Sequence, residues 1–247
     1  MMKFVSAANL PSGKVSKIIC GTTDSDIISF FLSLDIDVLS ITENKSIDIP
    51  VSTHADMAAI HLGGNKIIVD KLQQSLREAL EKDGFEIFET SSPIAGRYPD
   101  DIRLNFALAG DFVIGNVRYA DKILTSLLTD KIQVNVRQGY CKCSTLIVDE
   151  KSIITDDESI FSETLKNGFD VLLISKGDIA LDGYDYGFIG GASGKISDDT
   201  VVFFGDITKH RDYDKINSFL SEHGCKFICS DNKHLRDIGG IIPLIQA

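Results

Sequence analysis

No uninterrupted apolar stretch approaches the roughly 18–20 residues that a membrane-crossing helix requires, so no membrane role is expected. The first fifteen residues lack the basic start, apolar run and small-residue cleavage site of a secretory signal, and a cytoplasmic protein is the resulting expectation. There is no cluster of Lys and Arg, and a net charge of -11 repels phosphate backbones. Nucleic acid is therefore excluded as a partner, and small neutral or cationic ligands suit the field better. Cysteine is sparse and odd in number, five in all, with Cys20, Cys225 and Cys229 in or beside apolar runs. That usage argues against a disulfide framework, and Cys141-x-Cys143 without a second close pair is not a zinc spacing, so neither metal nor cofactor is expected. What is present is an ordinary globular composition, 43% hydrophobic over 247 residues, enough to bury a large core.

The chain repeats itself. Five segments share one grammar: KIICGTTDSDIISFFLSLDIDVLSI, KIIVDKLQQSLREALEKDGFEIFET, FVIGNVRYADKILTSLLTDKIQVNV, SIITDDESIFSETLKNGFDVLLIS and VVFFGDITKHRDYDKINSFLSEHGCKFICS. Each opens with β-favouring residues, passes a polar step able to cap a helix, runs on with helical periodicity, and closes in a short apolar strand. In the second copy Leu72, Leu76, Ala79 and Leu80 share a helix face and Gly84 follows as the stop. Between copies stands a further element, HADMAAIHLGGN, DIRLNFALAGD, GYCKCSTLIVDE, YGFIGGASGKISDD or, at the end, RDIGGIIPLIQA. Four of these lead through a turn into the next strand as hairpins. The fifth runs out at Ala247 and finds its partner in the unpaired strand KVSKIIC near the start. The expected fold is α/β: a single domain, residues 1–247, of five ββαβ blades of about 45 residues, pseudo-fivefold and closed by pairing of the N- and C-terminal strands.

This pattern resembles the pentein, or guanidino-group-modifying, fold of arginine and agmatine deiminases, dimethylargininases and amidinotransferases, and is closest to an uncharacterised bacterial group of that fold. The segment HADMAAIHLGGNKIIV resembles the agmatine deiminase stretch holding a His-x-Asp pair. By that resemblance His54 is the general acid/base and Asp56 a guanidinium ligand. DIGGIIPLIQ is similar to the C-terminal stretch that carries His-Cys, with the cysteine as nucleophile, but Ile242 and Pro243 stand at those positions here. The His-x-Asp pair also lies in the first blade rather than late in the chain. The resemblance thus implies a pentein binding a small guanidino or amino compound in an axial pocket without the usual nucleophile.

The residues leave two other readings open. One is a non-catalytic interaction protein of the same fold. The other is a hydrolase or transferase in which Cys141 or Cys143, set on one face of a strand by alternation, supplies the thiolate and His54 moves the proton. Alternation turns His54, Asp56 and Ala58 inward and His61 to the opposite face. The run RYPDDIRLNFALAG gathers Arg97, Asp100, Asp101, Arg103 and Asn105, of which Asp100, Arg103 and Asn105 are candidate substrate-binding residues at the same mouth. The glycines of GFIGGASGKISDD, with no helix after them, read as a long hairpin turn rather than a phosphate loop. Gly190, Gly191, Gly239 and Gly240 suit close convergence of strands. His210, His223 and His234 fall in polar contexts and are expected in solvent.

Overall fold

The β-branched opening of each repeat forms the middle strand of a small sheet. The structure, a computed structural model, describes residues 3–21 and 24–247. The middle strands are Val15–Cys20, Lys66–Val69, Phe112–Gly115, Ser152–Thr155 and Thr200–Phe203. Each pairs in parallel with the strand after its helix: Asp37–Ser40, Glu86–Glu89, Ile132–Asn135, Asp170–Leu173 and Lys226–Cys229 in turn. Each pairs on its other side, antiparallel, with Ile241–Gln246, Ala59–Gly63, Ala107–Ala109, Thr145–Ile147 or Ser193–Lys195. Middle strands are covered on both faces, which is why Ile18, Ile19, Ile67, Ile68, Ile153, Ile154, Val201 and Val202 form unbroken apolar runs and are fully buried.

Three of the five polar steps cap their helices with a side chain, whereas Gln73 and Asp212 make no such bond. Asp24 accepts from the backbone N–H of Asp26 at 2.9 Å, Asp121 from Ile123 at 2.9 Å, and Asp157 from Ser159 at 2.8 Å. These start helices Ser25–Ser33, Lys122–Leu127 and Glu158–Lys166, each cap contributing about 1 kcal/mol. In helix Gln74–Lys82, Leu76 and Leu80 are buried as expected, and Gly84 closes the turn at φ +89°. Leu72 departs from the expectation and is 44% exposed. The helix begins two residues after it because Gln73 turns aside to exchange two hydrogen bonds with the backbone of Thr42, each at 2.7 Å.

The C-terminal strand completes the first sheet, with Ile241 opposite Cys20, Ile242 opposite Ile19 and Pro243 opposite Ile18. The register slips just beyond Pro243, where the ladder lacks an N–H donor. Its far edge is covered by Lys3–Phe4, a strand the repeat pattern does not reveal. The antiparallel strands also touch from sheet to sheet: Ala107–Ala109 meets Thr145–Ile147, which meets Ser193–Lys195, which meets Ile241–Gln246, which meets Ala59–Gly63. A second unforeseen pairing, Ile179–Ala180 parallel to Leu235–Arg236, lays the loop 181–188 beside Asp237. Among the described residues no helix is long and apolar enough to cross a membrane.

Removing residues 239–247 takes Ile241, Ile242, Leu244 and Ile245 out of the core. At about 1.5–3 kcal/mol per side chain the loss is comparable to the stability of a whole domain. The truncated chain is expected to show no cooperative thermal transition by circular dichroism. A two-state melt within a few degrees of the full chain would contradict this placement of the strand.

Candidate functional site

Two of the sequence motifs fold as turns rather than strands. His54 caps the four-residue helix Ala55–Ala58, and the strand begins only at Ala59. In the second motif Ser144 N–H bonds to Tyr140 C=O at 2.9 Å and Thr145 N–H to Lys142 C=O at 3.2 Å, so the chain turns between Cys141 and Cys143. Alternation therefore does not govern either motif. The turns carry Asp56 and Cys143 together: the Cys143 thiol donates to Asp56 Oδ2 at 2.8 Å. A ring nitrogen of His54, a carboxylate oxygen of Asp56 and Cys143 Sγ all lie within 4.8 Å of one another. Asn105 fixes the turn from below in the sequence, its Oδ1 accepting from the N–H of Lys142 at 2.8 Å and its Nδ2 donating to Cys143 Sγ at 3.2 Å.

A fourth group completes the cluster. Asp237 is pinned by backbone donors, Oδ1 taking the N–H of Gly239 at 3.0 Å and Oδ2 that of Phe188 at 2.9 Å. Its Oδ1 stands 3.8 Å from His54 Nδ1. The approach depends on absent side chains: a Cβ on Gly239, whose φ is +79°, would lie 2.5 Å from His54 Cβ, and one on Gly191 would lie 1.9 Å from Asp237 Oδ1. His54, Cys143 and Asp237 line a cavity of about 240 Å³ together with Tyr140, Tyr184, Tyr186, Phe188 and Asp185. Tyr140 and Phe188 stack with ring centres 6.3 Å apart, and Tyr186 meets Phe188 edge-on at 5.9 Å.

The cluster is buried. His54, Asp56 and Cys143 are no more than 3% exposed, and among the described residues His54 Nδ1 and Asp56 Oδ1 have no hydrogen-bond partner. Burial pushes the Asp56 carboxyl up to about 6, against the pull of His54 and Lys142. Burial also pushes the Cys143 thiol well above its ordinary range, and the charges of Asp56 and Asp237 push it further. The Lys142 ammonium, buried in the same turn, is pushed down by burial, with Asp56 partly opposing. The site thus sets a thiol facing carboxylates, an arrangement that favours the protonated thiol and that a cation in the cavity would offset. Chemically it offers a nucleophile, a proton carrier and carboxylates for a cation; His54, Asp56 and Cys143 could also hold a metal ion.

The other candidates lie elsewhere. Cys141 points away because of the intervening turn; its thiol donates to Gln138 C=O at 2.9 Å and packs among Ile147, Ile153 and Phe169, where burial raises it. Arg103 is consumed by Ser92 and Pro93 carbonyls at 2.9 and 2.6 Å and by Asp121 at 3.3 Å, and Asp100 is exposed on the same loop. Asp56 sits behind Cys143 and does not line the cavity. The carboxylate that does, Asp237, is not among the residues singled out from the sequence, although RDIGG offered an acid next to a glycine pair. The tyrosines of YDYGF and GYC were also passed over. The glycines Gly190 and Gly191 are not in a hairpin turn; they precede strand Ser193–Lys195, and Gly190 packs against the Lys142 and Thr145 carbonyls. His210 is buried, its Nδ1 accepting from the N–H of Asp212, and His223 bridges Asp149 and Asp170, while His234 is exposed. His61 is buried and bonds Gly64 C=O at 2.9 Å.

The model of a family of unknown function, DUF6873, matches residues 18–242. No curated protein matches the sequence. Among solved structures, the chain is similar to the amidinotransferase SxtG of the saxitoxin biosynthetic pathway from Microseira wollei, with 9% identity, a TM-score of 0.60, and coverage of 92% of this chain and 91% of that one. The inosamine-phosphate amidinotransferase StrB1 of Streptomyces griseus gives 12% identity, a TM-score of 0.59, and 98% and 97% coverage. The agmatine deiminase of C. jejuni gives 14% identity, a TM-score of 0.54, and 94% and 91% coverage. At such identities the likeness is one of fold.

Two outcomes follow from the packing and the charges. Gly239→Ala should displace His54 and cost roughly 1–3 kcal/mol in urea unfolding, from strain at positive φ and the overlap; an unchanged midpoint would contradict it. For Asp56, a folded value of about 6 exceeds the ordinary 3.8, so the folded state keeps a proton that the unfolded chain releases. Its stabilising effect is complete below the lower value and is lost as pH rises through the higher. Asp56→Asn, which keeps an acceptor for the thiol, should therefore gain on the order of 1–3 kcal/mol at pH 7 relative to pH 4. Equal effects at the two pH values would contradict the burial argument.

Proposed function

We propose, for a chain that belongs to the family of unknown function DUF6873 and has the pentein, guanidino-group-modifying fold, that it binds a small guanidino or amidine compound and transforms it through a covalent bond to Cys143. The observation that carries this reading is the meeting of His54, Asp56 and Cys143 within 4.8 Å, with Asp237 behind the imidazole and a cavity opening onto thiol and ring. A pentein serving only as an interaction surface does not require a thiol, an imidazole and two carboxylates to converge beside a cavity.

A guanidinium entering the cavity supplies the charge that the carboxylates lack, which brings the thiol down toward ionisation. The Cys143 proton passes to His54, and the sulfur adds to the sp2 carbon, forming the C–S bond. The C–N bond to the leaving amine then breaks as His54 returns the proton to that nitrogen. Water or a second amine next adds to the thiouronium carbon, giving one proton to His54, and the C–S bond breaks to restore the thiol. The products are an amine or ammonia and either a ureido compound or a transferred amidino group. Asp237 faces the cation and, 3.8 Å from the imidazole, favours its protonated form in the step, and Asp56 holds the thiol in place until the cation arrives.

Cys143 replaces the C-terminal position as the nucleophile in this account, since Pro243 is engaged in the ladder opposite Ile18. The same reading takes the five sheets as blades about a common axis, closed where Ile241–Gln246 pairs with Val15–Cys20. The shared strand order and the sheet-to-sheet contacts of the antiparallel strands support it.

The test is turnover of a guanidino panel, read as ureido product and ammonia, in the intact chain and its variants. Cys143→Ser and His54→Ala are each expected to lose about 1,000-fold or more, and Cys141→Ser to stay within about threefold. Activity should survive a chelator. Turnover that persists in Cys143→Ser, or that vanishes on chelation, would overturn thiol chemistry, the latter in favour of a metal on the same three residues.

A further inference from the structure

The cavity carries a statement about the far end of the substrate. Among the described residues no lysine or arginine lines it: its ionisable residues are His54, Asp237 and Asp185, besides the tyrosines and the Cys143 thiol. Each basic residue nearby is engaged or turned away. Lys142 lines small voids with Asp56 and Asn9 on the other side of the turn. Lys176 lies against the Tyr186 ring, 5.5 Å from its centre, and lines a neighbouring groove. Arg236 is held by Asp24 at 3.1 Å and by Asp231. Arg97 extends toward Asp48 at 3.6 Å and is 88% exposed. A carboxylate in this cavity would meet two aspartates and no lysine or arginine of the lining.

A second cation fits it well. Asp185 is exposed where it joins the lining, so it stands at the rim rather than among the buried groups. Much of the rest of the lining is aromatic, and the faces of Tyr140, Tyr186 and Phe188 attract positive charge. The volume of about 240 Å³ lies below the roughly 300–1,000 Å³ of sites for drug-sized ligands, which restricts the occupant to a free small molecule.

We propose that the substrate is a small dication, a guanidinium at one end and an ammonium at the other with no carboxylate, and that Asp185 selects the ammonium. This rests on the reading of the cavity as a guanidino site. Three probes separate the terms: agmatine, which has both charges; butylguanidine, which lacks the ammonium; and arginine, which adds a carboxylate. Dissociation constants are measured by calorimetry on Cys143→Ser, so that the ranking does not depend on turnover. Agmatine should bind about 3- to 10-fold tighter than butylguanidine, as expected for one rim ion pair with aromatic support. It should bind about 100-fold or more tighter than arginine, whose carboxylate meets like charge. Adding Asp185→Asn should bring the agmatine-to-butylguanidine ratio close to one, with folding checked by the thermal transition. Arginine binding as tightly as agmatine, or a ratio unmoved by Asp185→Asn, would overturn the selection while leaving the guanidino site standing. No binding by any of the three would overturn both.

Discussion

The hydrogen bond from the Cys143 thiol to Asp56, 2.8 Å long and buried, is the contact around which the site is arranged. It brings together a turn before Thr145 and a one-turn helix after His54, two pieces separated by 87 residues. Asn105 ties down the first piece by its backbone N–H groups, and Gly239 admits the second by having no side chain. Such a cluster is costly, since buried polar atoms without partners weaken a fold by about 1–3 kcal/mol each. The aliphatic middle strands and the helices packed on them offset that cost.

The electrostatics of the cluster suit the cationic ligand of the proposed function. Two carboxylates, a thiol and an imidazole share a small volume, and burial acts against the charged forms of Asp56 and Cys143. Lys142 lies in the same turn, but burial weakens its own hold on a proton. A cation delivered through the cavity would therefore do two things at once: compensate the carboxylates and release the thiol for attack. Binding and activation are one event in this account, and an unoccupied site keeps its nucleophile unreactive.

Much of the fold was legible because the sequence repeats: a β-branched strand, a polar step and a helical stretch recur five times, and periodicity survives even where individual residues vary. Asp24, Asp121 and Asp157 are caps in the structure for the reason they could be read as such. The strand Lys3–Phe4 and the pair Ile179–Ala180 with Leu235–Arg236 are only two residues long, too short for any period to show. At the site, His54, Asp56, Cys143 and Asn105 were singled out and do come together, whereas Cys141, Asp100 and Arg103 do not. The strand rule put both cysteines on one face, and a turn undid it. Asp237 escaped notice because its role is set by the backbone N–H groups of Gly239 and Phe188, donors that no side-chain pattern reveals.

The central claim is that Cys143 is a nucleophile activated by a cation in its own cavity. Its most direct test is alkylation of the intact chain by chloroacetamidine, a cationic amidine, beside iodoacetamide, a neutral reagent of similar size, followed by peptide mapping. The account predicts that the cationic reagent modifies Cys143 selectively and much faster than the neutral one, and that Asp237→Asn narrows the difference. Labelling confined to the half-buried Cys229, or equal rates for the two reagents at Cys143, would contradict it.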